Sequence, residues 1–179
     1  MKEACTHKSL LILGRGIGQV MFQNNALSGL LMLIGIFLNS WQMGLLAVSG
    51  NIISTSTGRI SGYDRDDIKN GLYGFNGTLV GIAVGVFMHL TVNSLILMAI
   101  ASCASTYIAR FFNMQRMLPG FTTLFILSVW MLLGLCSWLM PDMLLVSDTE
   151  TPASSSINYL QCFSMSIGQV MFQGNIMTG

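Results

Sequence analysis

A short segment that places two amide side chains around an aromatic ring occurs twice in this chain. Residues Ile17–Gln23 recur letter for letter at 167–173, an offset of 150 residues. Nine of the thirteen aligned positions from 17 to 29 are identical, which chance does not plausibly supply. The chain therefore contains an internal repeat, and its polar and aromatic side chains are the first candidates for a functional site.

The side-chain types in this repeat suit a small, planar, polar solute. If the first copy is helical, Gln19, Phe22 and Gln23 lie at positions i, i+3 and i+4 of one helix face. The amides offer hydrogen-bond donors and acceptors, and the ring offers a flat apolar wall. The alternative is that the Gln side chains make hydrogen bonds between helices. Because the unit is duplicated, we favour the interpretation that it lines a pore.

The composition indicates that this unit works inside a membrane. Of the 179 residues, 53% are hydrophobic and 8% are charged, whereas soluble domains carry roughly 25% charged residues. Too little polar surface remains to cover a soluble globule, so we predict an all-α integral membrane protein. Soluble enzymes and nucleic-acid-binding proteins are excluded. No spacing of Cys or His residues suggests a metal site, and we expect neither a cofactor nor enzymatic activity.

The chain divides into five long apolar stretches, each a candidate spanning helix. The first two are short against the ~20 residues that a bilayer core requires, so they must tilt or borrow flanking residues. The third and fourth are separated only around Thr91 and Asn93, and they can also be read as one very long helix. The five stretches are 26–40, 43–58, 71–92, 93–109 and 118–140.

The distribution of positive charge favours five separate spans. With five spans, all eight Lys and Arg residues fall on one side of the membrane, in the N-terminal tail and in the loops after the second and fourth spans. Cytoplasmic loops collect Lys and Arg during insertion. The pattern therefore predicts a multi-pass cell-membrane protein with a cytoplasmic N-terminus. Merging the third and fourth stretches would spoil it.

The repeat and the odd number of spans together predict inverted repeats. In transporters and channels built this way, the permeant site lies near mid-membrane at the repeat interface. Residues 1–140 form the first membrane repeat, 141–161 an extracellular or periplasmic linker, and 162–179 the truncated start of the second inverted repeat. We expect a short re-entrant or tilted pore helix in each repeat besides the five spanning helices, with only the first repeat complete here.

Two further units accompany the candidate site. Residues 71–81 combine four glycines with Asn76 and Thr78. This pattern indicates either close backbone approach at an interrupted helix or a face of small residues for tight helix packing, and the sequence does not decide between them. Residues 118–123 begin the fifth stretch, where Thr hydroxyls could face a pore or the proline could simply start a helix.

Taken together, these units resemble the urea transporter family. The resemblance is carried by the segments 18–25, 71–81 and 118–122, and it runs from about residue 9 to the end of the chain. It implies that two inverted halves enclose a narrow, continuous pore for urea in each protomer. It also implies that three protomers form a homotrimer in the lipid bilayer when the protein is full length.

The same resemblance assigns roles to six residues. It implies that Gln19 and its mate Gln169 contact the solute. Phe22 and Phe172 would stack against the flat face of the solute, and Leu79 and Thr122 would line the central constriction.

The function expected from these features is passive, selective permeation of urea. Every Asp and Glu falls in a loop or tail, so the apolar stretches contain no carboxylate relay for proton coupling, and no nucleotide-binding loop is present. The alternatives are a channel for another small amide or for ammonia, or a truncated half-transporter that does not conduct. Because the charge bias argues against dual topology, we expect that the chain alone does not conduct.

Overall fold

The computed structural model of the chain describes residues 2–115 and 123–145. Helices account for nearly all of these residues, and no β-strand occurs in the two described ranges. The predicted all-α class is therefore confirmed for this part of the chain. The helices are α1 Lys2–Gly18, α2 Ala26–Asn39, α3 Trp41–Ile60, α4 Arg65–Lys69, α5 Gly74–Phe87, α6 Val92–Gln115 and α7 Thr123–Leu139, with short 3-10 helices at Gln19–Met21 and Pro141–Met143.

Five of these helices coincide with the five predicted apolar stretches, namely α2, α3, α5, α6 and α7. The third and fourth stretches are two separate helices, as the charge pattern predicted. The chain leaves helical geometry at Met88, and Thr91 and Ser94 then exchange hydrogen bonds. Each hydroxyl accepts from the other residue's backbone N–H, at 2.9 and 3.3 Å. This reciprocal cap starts α6 as a new helix.

The described helices differ in their capacity to cross a membrane. By length and hydropathy, Val92–Phe112 within α6 is the one helix of the described ranges that could span a bilayer by itself. The segments Lys8–Met21 and Ala26–Asn39 pass the same test only as a pair, bent by 76° at the break between them. This bent pair has the geometry of a broken span or a re-entrant segment. The number of spans stays a prediction.

The core of the fold is a close crossing of α3 and α5. A Cβ added at Gly77 would collide with the carbonyl oxygen of Gly50, and one added at Gly81 would collide with that of Leu46. Only glycine allows the two backbones to approach so closely. Residues 71–81 therefore provide both the close backbone approach and the small-residue face of a tight helix crossing, and α5 begins inside this unit, at Gly74.

Helix α1 runs along this core and ends beside it. Its backbone approaches α2 closely, because the carbonyl oxygen of Gly14 lies where a Cβ on Gly29 would be. A Cβ added at Gly16 would lie 2.7 Å from Nδ2 of Asn51, which is the eleventh of the twenty residues of α3. The end of α1 therefore lies at mid-height of α3.

Two sets of contacts join the connecting segments. Arg15, in the last turn of α1, donates from Nη1 to the carbonyl oxygen of Lys69, 3.3 Å away. The segment after α5 pairs with the segment after α7, since Met88 and Leu144 form an isolated β-bridge. Trp41 at the start of α3 shares a cavity wall with Thr91, so the connection before α3 lies near the segment after α5.

Candidate functional site

The first copy of the repeated unit forms a hairpin between α1 and α2, with the three residues Gln19–Met21 in a 3-10 helix. A Cβ at Gly18 would lie 2.7 Å from the carbonyl oxygen of Gln23, so the chain folds back directly across Gly18. The backbone N–H of Gln23 donates to the carbonyl oxygen of Gly18 at 3.1 Å and closes the hairpin. This 3-10 hairpin, residues 18–25, is the candidate site.

The expectation that Gln19, Phe22 and Gln23 share one helix face is wrong. The α-helix ends at Gly18, and Phe22 adopts a left-handed backbone conformation with φ 57°. A single left-handed residue reverses the chain direction, so the i, i+3, i+4 geometry does not apply. The two glutamines therefore work in different surroundings.

The Gln19 side chain is held by a turn from a distant part of the chain. Its Nε2 donates to the carbonyl oxygen of Asn70 at 3.0 Å, and the residue is half-buried. Gln23 is exposed and uses its other amide atom, since its Oε1 accepts from the hydroxyl of Ser28 at 2.8 Å. Gln19 thus makes an intramolecular hydrogen bond, as the alternative interpretation predicted, but its partner is a turn and not another helix.

Phe22 presents its ring at the surface of the chain. The residue is 63% exposed although it is large and apolar. Non-glycine residues rarely occupy the left-handed region, and bulky ones do so least. Sparsely populated backbone conformations of this kind cluster at ligand sites, where the surrounding structure maintains them. The conformation of Phe22 therefore supports a functional interpretation of the hairpin.

The turn that contacts Gln19 is anchored by the short helix α4. Asp64 caps this helix, because its carboxylate accepts from the backbone N–H groups of Asp66 and Asp67 at 2.7 and 3.3 Å. Lys69 donates to Asp66 at 2.8 Å, and this hydrogen bond and charge hold the pKa of the Asp66 carboxyl below its ordinary value. Burial, together with the charge of Asp64, raises the pKa of Asp67. The Asp64 cap fixes the start of the helix that ends one residue before Asn70, whereas the Lys69–Asp66 ion pair is exposed and contributes little.

Of the other four predicted site residues, the structure describes only Leu79. Leu79 lies on α5, is 3% exposed, and belongs to the same hydrophobic cluster as Val20 of the hairpin. The hairpin and the helix that carries Leu79 are therefore packed together, but Leu79 is buried whereas Phe22 is exposed. Thr122, Gln169 and Phe172 lie outside the described residues.

A fully buried asparagine that the sequence analysis did not single out ties α1 to the core. Asn51 donates from Nδ2 to the carbonyl oxygen of Leu13 at 3.2 Å and to the hydroxyl of Thr78 at 3.0 Å. Its Oδ1 accepts from the hydroxyl of Thr55 at 3.2 Å. Asn51 therefore joins α1, α3 and α5. The available signal was a lone Asn inside the apolar stretch 43–58, because polar side chains in such a stretch need partners.

A second buried asparagine stands in contrast to the first. Asn76 on α5 is 0% exposed, and neither atom of its amide finds a hydrogen-bond partner within the described part of the chain. Leaving a buried amide unpaired costs about 1–3 kcal/mol.

One apolar cavity and the arrangement of potential metal ligands are alternatives to the hairpin as candidate sites. A cavity of about 390 Å³ lies between α1, α2 and α3, but its wall is apolar apart from Asn51 and lacks both Gln19 and Phe22. We therefore do not assign it to a polar solute. Over residues 2–115 and 123–145, no group of His, Cys, Asp and Glu could hold a metal ion.

Comparison with known proteins relates the chain to one family. The family model described as Urea transporter matches residues 10–179. Urea transporter 1 of Mus musculus is 41% identical over 75 residues, which cover 42% of this chain and 20% of the relative. Urea transporter 1 of Rattus norvegicus is 42% identical over 73 residues, covering 41% and 19%. The chain spans about a fifth of the length of the curated relatives it matches.

The family match extends over nearly the whole chain and includes all three segments that carried the resemblance. The match confirms the resemblance to the urea transporter family. The chain therefore belongs to the urea transporter family, a family of membrane transporters and not of enzymes.

Proposed function

We propose that this chain supplies one half of a narrow passage through which urea crosses the membrane passively. The observation that carries the proposal is the hairpin, which combines an oriented Gln19 amide with an exposed Phe22 ring. The family to which the chain belongs supports urea as the solute. The names of the relatives in Mus musculus and Rattus norvegicus support it as well.

The chemistry of the hairpin matches the chemistry of urea. Urea is planar and uncharged and carries several N–H donors. The flat face of Phe22 can form one wall of a slot that admits this shape. The oxygen of the Gln19 amide can accept a hydrogen bond from a urea N–H group and so replace the water molecule that this group loses on entry. An ion would have to lose its hydration shell to enter, and the apolar walls offer no contacts that compensate this free-energy cost. The passage would therefore exclude ions.

The position of the hairpin supports a site near the middle of the membrane. Gln19 follows Gly16, which lies beside Asn51 at mid-height of α3. Permeant sites in transporters built from inverted repeats lie at this depth, in discontinuous helices. The bent pair of α1 and α2, interrupted at the hairpin, is a discontinuity of this kind.

A complete pore on this proposal needs both repeats. Residues 1–140 form the first repeat, 141–161 the external linker, and 162–179 the start of the second repeat. In that repeat Gln169 and Phe172 take the roles of Gln19 and Phe22. Leu79 and Thr122 line the constriction between them, and three such protomers assemble in the bilayer, each with a cytoplasmic N-terminus.

Urea flux from proteoliposomes tests the proposal. The chain is fused to a polypeptide that supplies the second inverted repeat. Urea efflux is then measured by stopped-flow light scattering for the unsubstituted fusion and for its Gln19→Ala and Gln23→Ala variants. We expect saturable urea flux that falls about tenfold in Gln19→Ala, the effect of losing one hydrogen bond worth roughly 1.4 kcal/mol. Gln23→Ala is the comparison within the same hairpin, and we expect a smaller fall in flux than in Gln19→Ala because Oε1 of Gln23 already accepts from Ser28.

Two results would overturn the proposed function. One is the absence of urea flux from a fusion that inserts and folds, and the other is urea flux that is indifferent to Gln19→Ala. Acetamide and ammonia are measured in the same vesicles. Faster saturable flux of either solute than of urea would favour the alternative that the passage serves that solute.

A further inference from the structure

The turn after α4 contacts the hairpin through both its backbone and its side chain. The carbonyl oxygen of Asn70 accepts from Nε2 of Gln19 at 3.0 Å, and the side-chain oxygen of Asn70 accepts from Nδ2 of Asn24 at 3.0 Å. Asn70 therefore receives one hydrogen bond from each side of Phe22. The neighbouring Lys69 adds a third contact, because its carbonyl oxygen accepts from Arg15 at 3.3 Å.

The turn is also pressed directly against the backbone of α1. Gly71 is buried and has φ 77°, a conformation that glycine adopts without strain. A Cβ at this position would collide with the backbone nitrogen of Gly16. The approach leaves no room for the turn to move toward α1, so the carbonyl oxygen of Asn70 has a defined position relative to Gln19.

The partner of Gln19 decides which way its amide points. A backbone carbonyl oxygen only accepts hydrogen bonds, so the atom of Gln19 that faces it must be the NH₂ nitrogen. A flipped amide would bring two acceptor oxygens together and lose the bond. One of the two N–H donors of this nitrogen is thereby used, whereas Oε1 of Gln19 receives no hydrogen bond from the described part of the chain.

We propose that Asn70 is a positioning residue for the solute site. Its carbonyl oxygen holds the NH₂ group of Gln19 so that the amide oxygen faces the solute, and its side chain is fastened by Asn24. The site therefore acts as a hydrogen-bond acceptor and favours solutes that carry N–H donors. This inference rests on the proposed role of Gln19 in urea permeation.

Hydrogen exchange of the glutamine side chains tests the orientation without any transport assay. The chain is labelled with ¹⁵N at its Gln side chains in lipid nanodiscs, and single Gln→Ala substitutions assign the NH₂ signals. We expect the Gln19 NH₂ protons to exchange about tenfold more slowly than those of Gln23. Gln23 is the matched control in the same hairpin, because it is held through its oxygen and not through its nitrogen.

Variants of Asn70 test whether this residue is responsible. Asn70→Ala removes the oxygen that accepts from Asn24, loosens the turn, and reduces the protection of Gln19 several-fold. Asn70→Asp keeps an accepting oxygen and restores the protection. Asn24→Ala breaks the same hydrogen bond by removing its donor, and we expect it to reduce the protection of Gln19 as Asn70→Ala does. It therefore serves as the second variant where Asn70→Ala folds poorly. Asp66→Ala, which removes only the exposed ion pair with Lys69, leaves the protection unchanged.

Flux measurements on the same variants in the fusion separate this inference from the proposed function. We expect Asn70→Ala to raise the urea concentration at half-maximal flux several-fold and Asn70→Asp to recover it. Equal exchange of Gln19 and Gln23 overturns the inference, whatever the flux. So does a flux that Gln19→Ala abolishes but that neither Asn70→Ala nor Asn24→Ala alters. A third result is that the Asn70 variants change the exchange protection of Gln19 as expected, while Gln19→Ala leaves urea flux intact. This result would support the orientation of the Gln19 amide and refute its role in transport.

Discussion

Phe22 combines a strained backbone with an exposed ring, and the two properties can be separated by substitution. Left-handed geometry costs a non-glycine residue about 1–2 kcal/mol, and glycine escapes this cost. We expect Phe22→Gly to remove this backbone cost and to lower urea flux in the fusion. Phe22→Leu retains the Cβ and the apolar bulk but not the aromatic face, so it leaves stability unchanged and also lowers flux.

Thermal unfolding in detergent and vesicle flux measure the two effects. A clear drop in the melting temperature of Phe22→Gly would show that the contacts of the ring outweigh the backbone strain. It would contradict the view that Phe22 is kept for the solute. Unaltered flux in Phe22→Leu would contradict a role for the flat ring face.

At the residue scale, the sequence singled out the repeated segment but predicted neither its hairpin geometry nor what orients Gln19. The exact duplication of Ile17–Gln23 singled out Gln19 and Phe22, and both lie in the candidate site. The Asn70 carbonyl oxygen, however, is 51 positions from Gln19 in the chain, and a backbone acceptor leaves no mark in the sequence. The prediction that the side chains of Gln19 and Phe22 share a helix face was wrong for a local reason. Phenylalanine rarely adopts left-handed backbone geometry, so the sequence does not indicate this conformation at Phe22.

At the scale of elements, the glycines of α3 and α5 determine how closely these helices pack. A methyl group at Gly77 would collide with the carbonyl oxygen of Gly50, so Gly77→Ala must push the helices apart. We expect a loss of about 2 kcal/mol or more in the free energy of unfolding. Gly134 on α7 is the matched control, because an added Cβ there meets no atom within 4 Å. Gly134→Ala should stabilise the helix by about 0.5–1 kcal/mol.

Chemical or thermal unfolding of both variants in the same detergent checks this prediction. The opposite signs are its distinctive feature, since both substitutions add one methyl group to a helical glycine. Equal effects of Gly77→Ala and Gly134→Ala would mean that the α3–α5 crossing is not limited by backbone contact.

Apolar runs were sufficient to predict most helices but not all of them. The five stretches coincide with α2, α3, α5, α6 and α7 because each run is long enough to be read without tertiary information. Helix α1 was not predicted, since Gly14 and Gly16 lower the local helix propensity. Its glycines serve packing against α2 and the Asn70 turn, and such tertiary contacts override propensity.

At the scale of the whole molecule, the distribution of Lys and Arg along the sequence predicts one orientation in the membrane. A single cysteine at Ser61 should be labelled from the cytoplasmic side only, and one at His89 from the opposite side only, when the four native cysteines are replaced.

A single orientation has a consequence for transport that the same vesicles can measure. Two copies of this chain could enclose a symmetric pore only if they inserted in opposite directions, because the repeats of the proposed pore are inverted. With the predicted five spans, all eight Lys and Arg residues lie on one side, and this bias would oppose such dual insertion. Vesicles that contain the chain alone should therefore release urea no faster than empty vesicles, whereas the fusion conducts. Labelling of Ser61→Cys from both sides together with urea flux from the chain alone would refute the charge argument and show that half of the repeat pair assembles a pore.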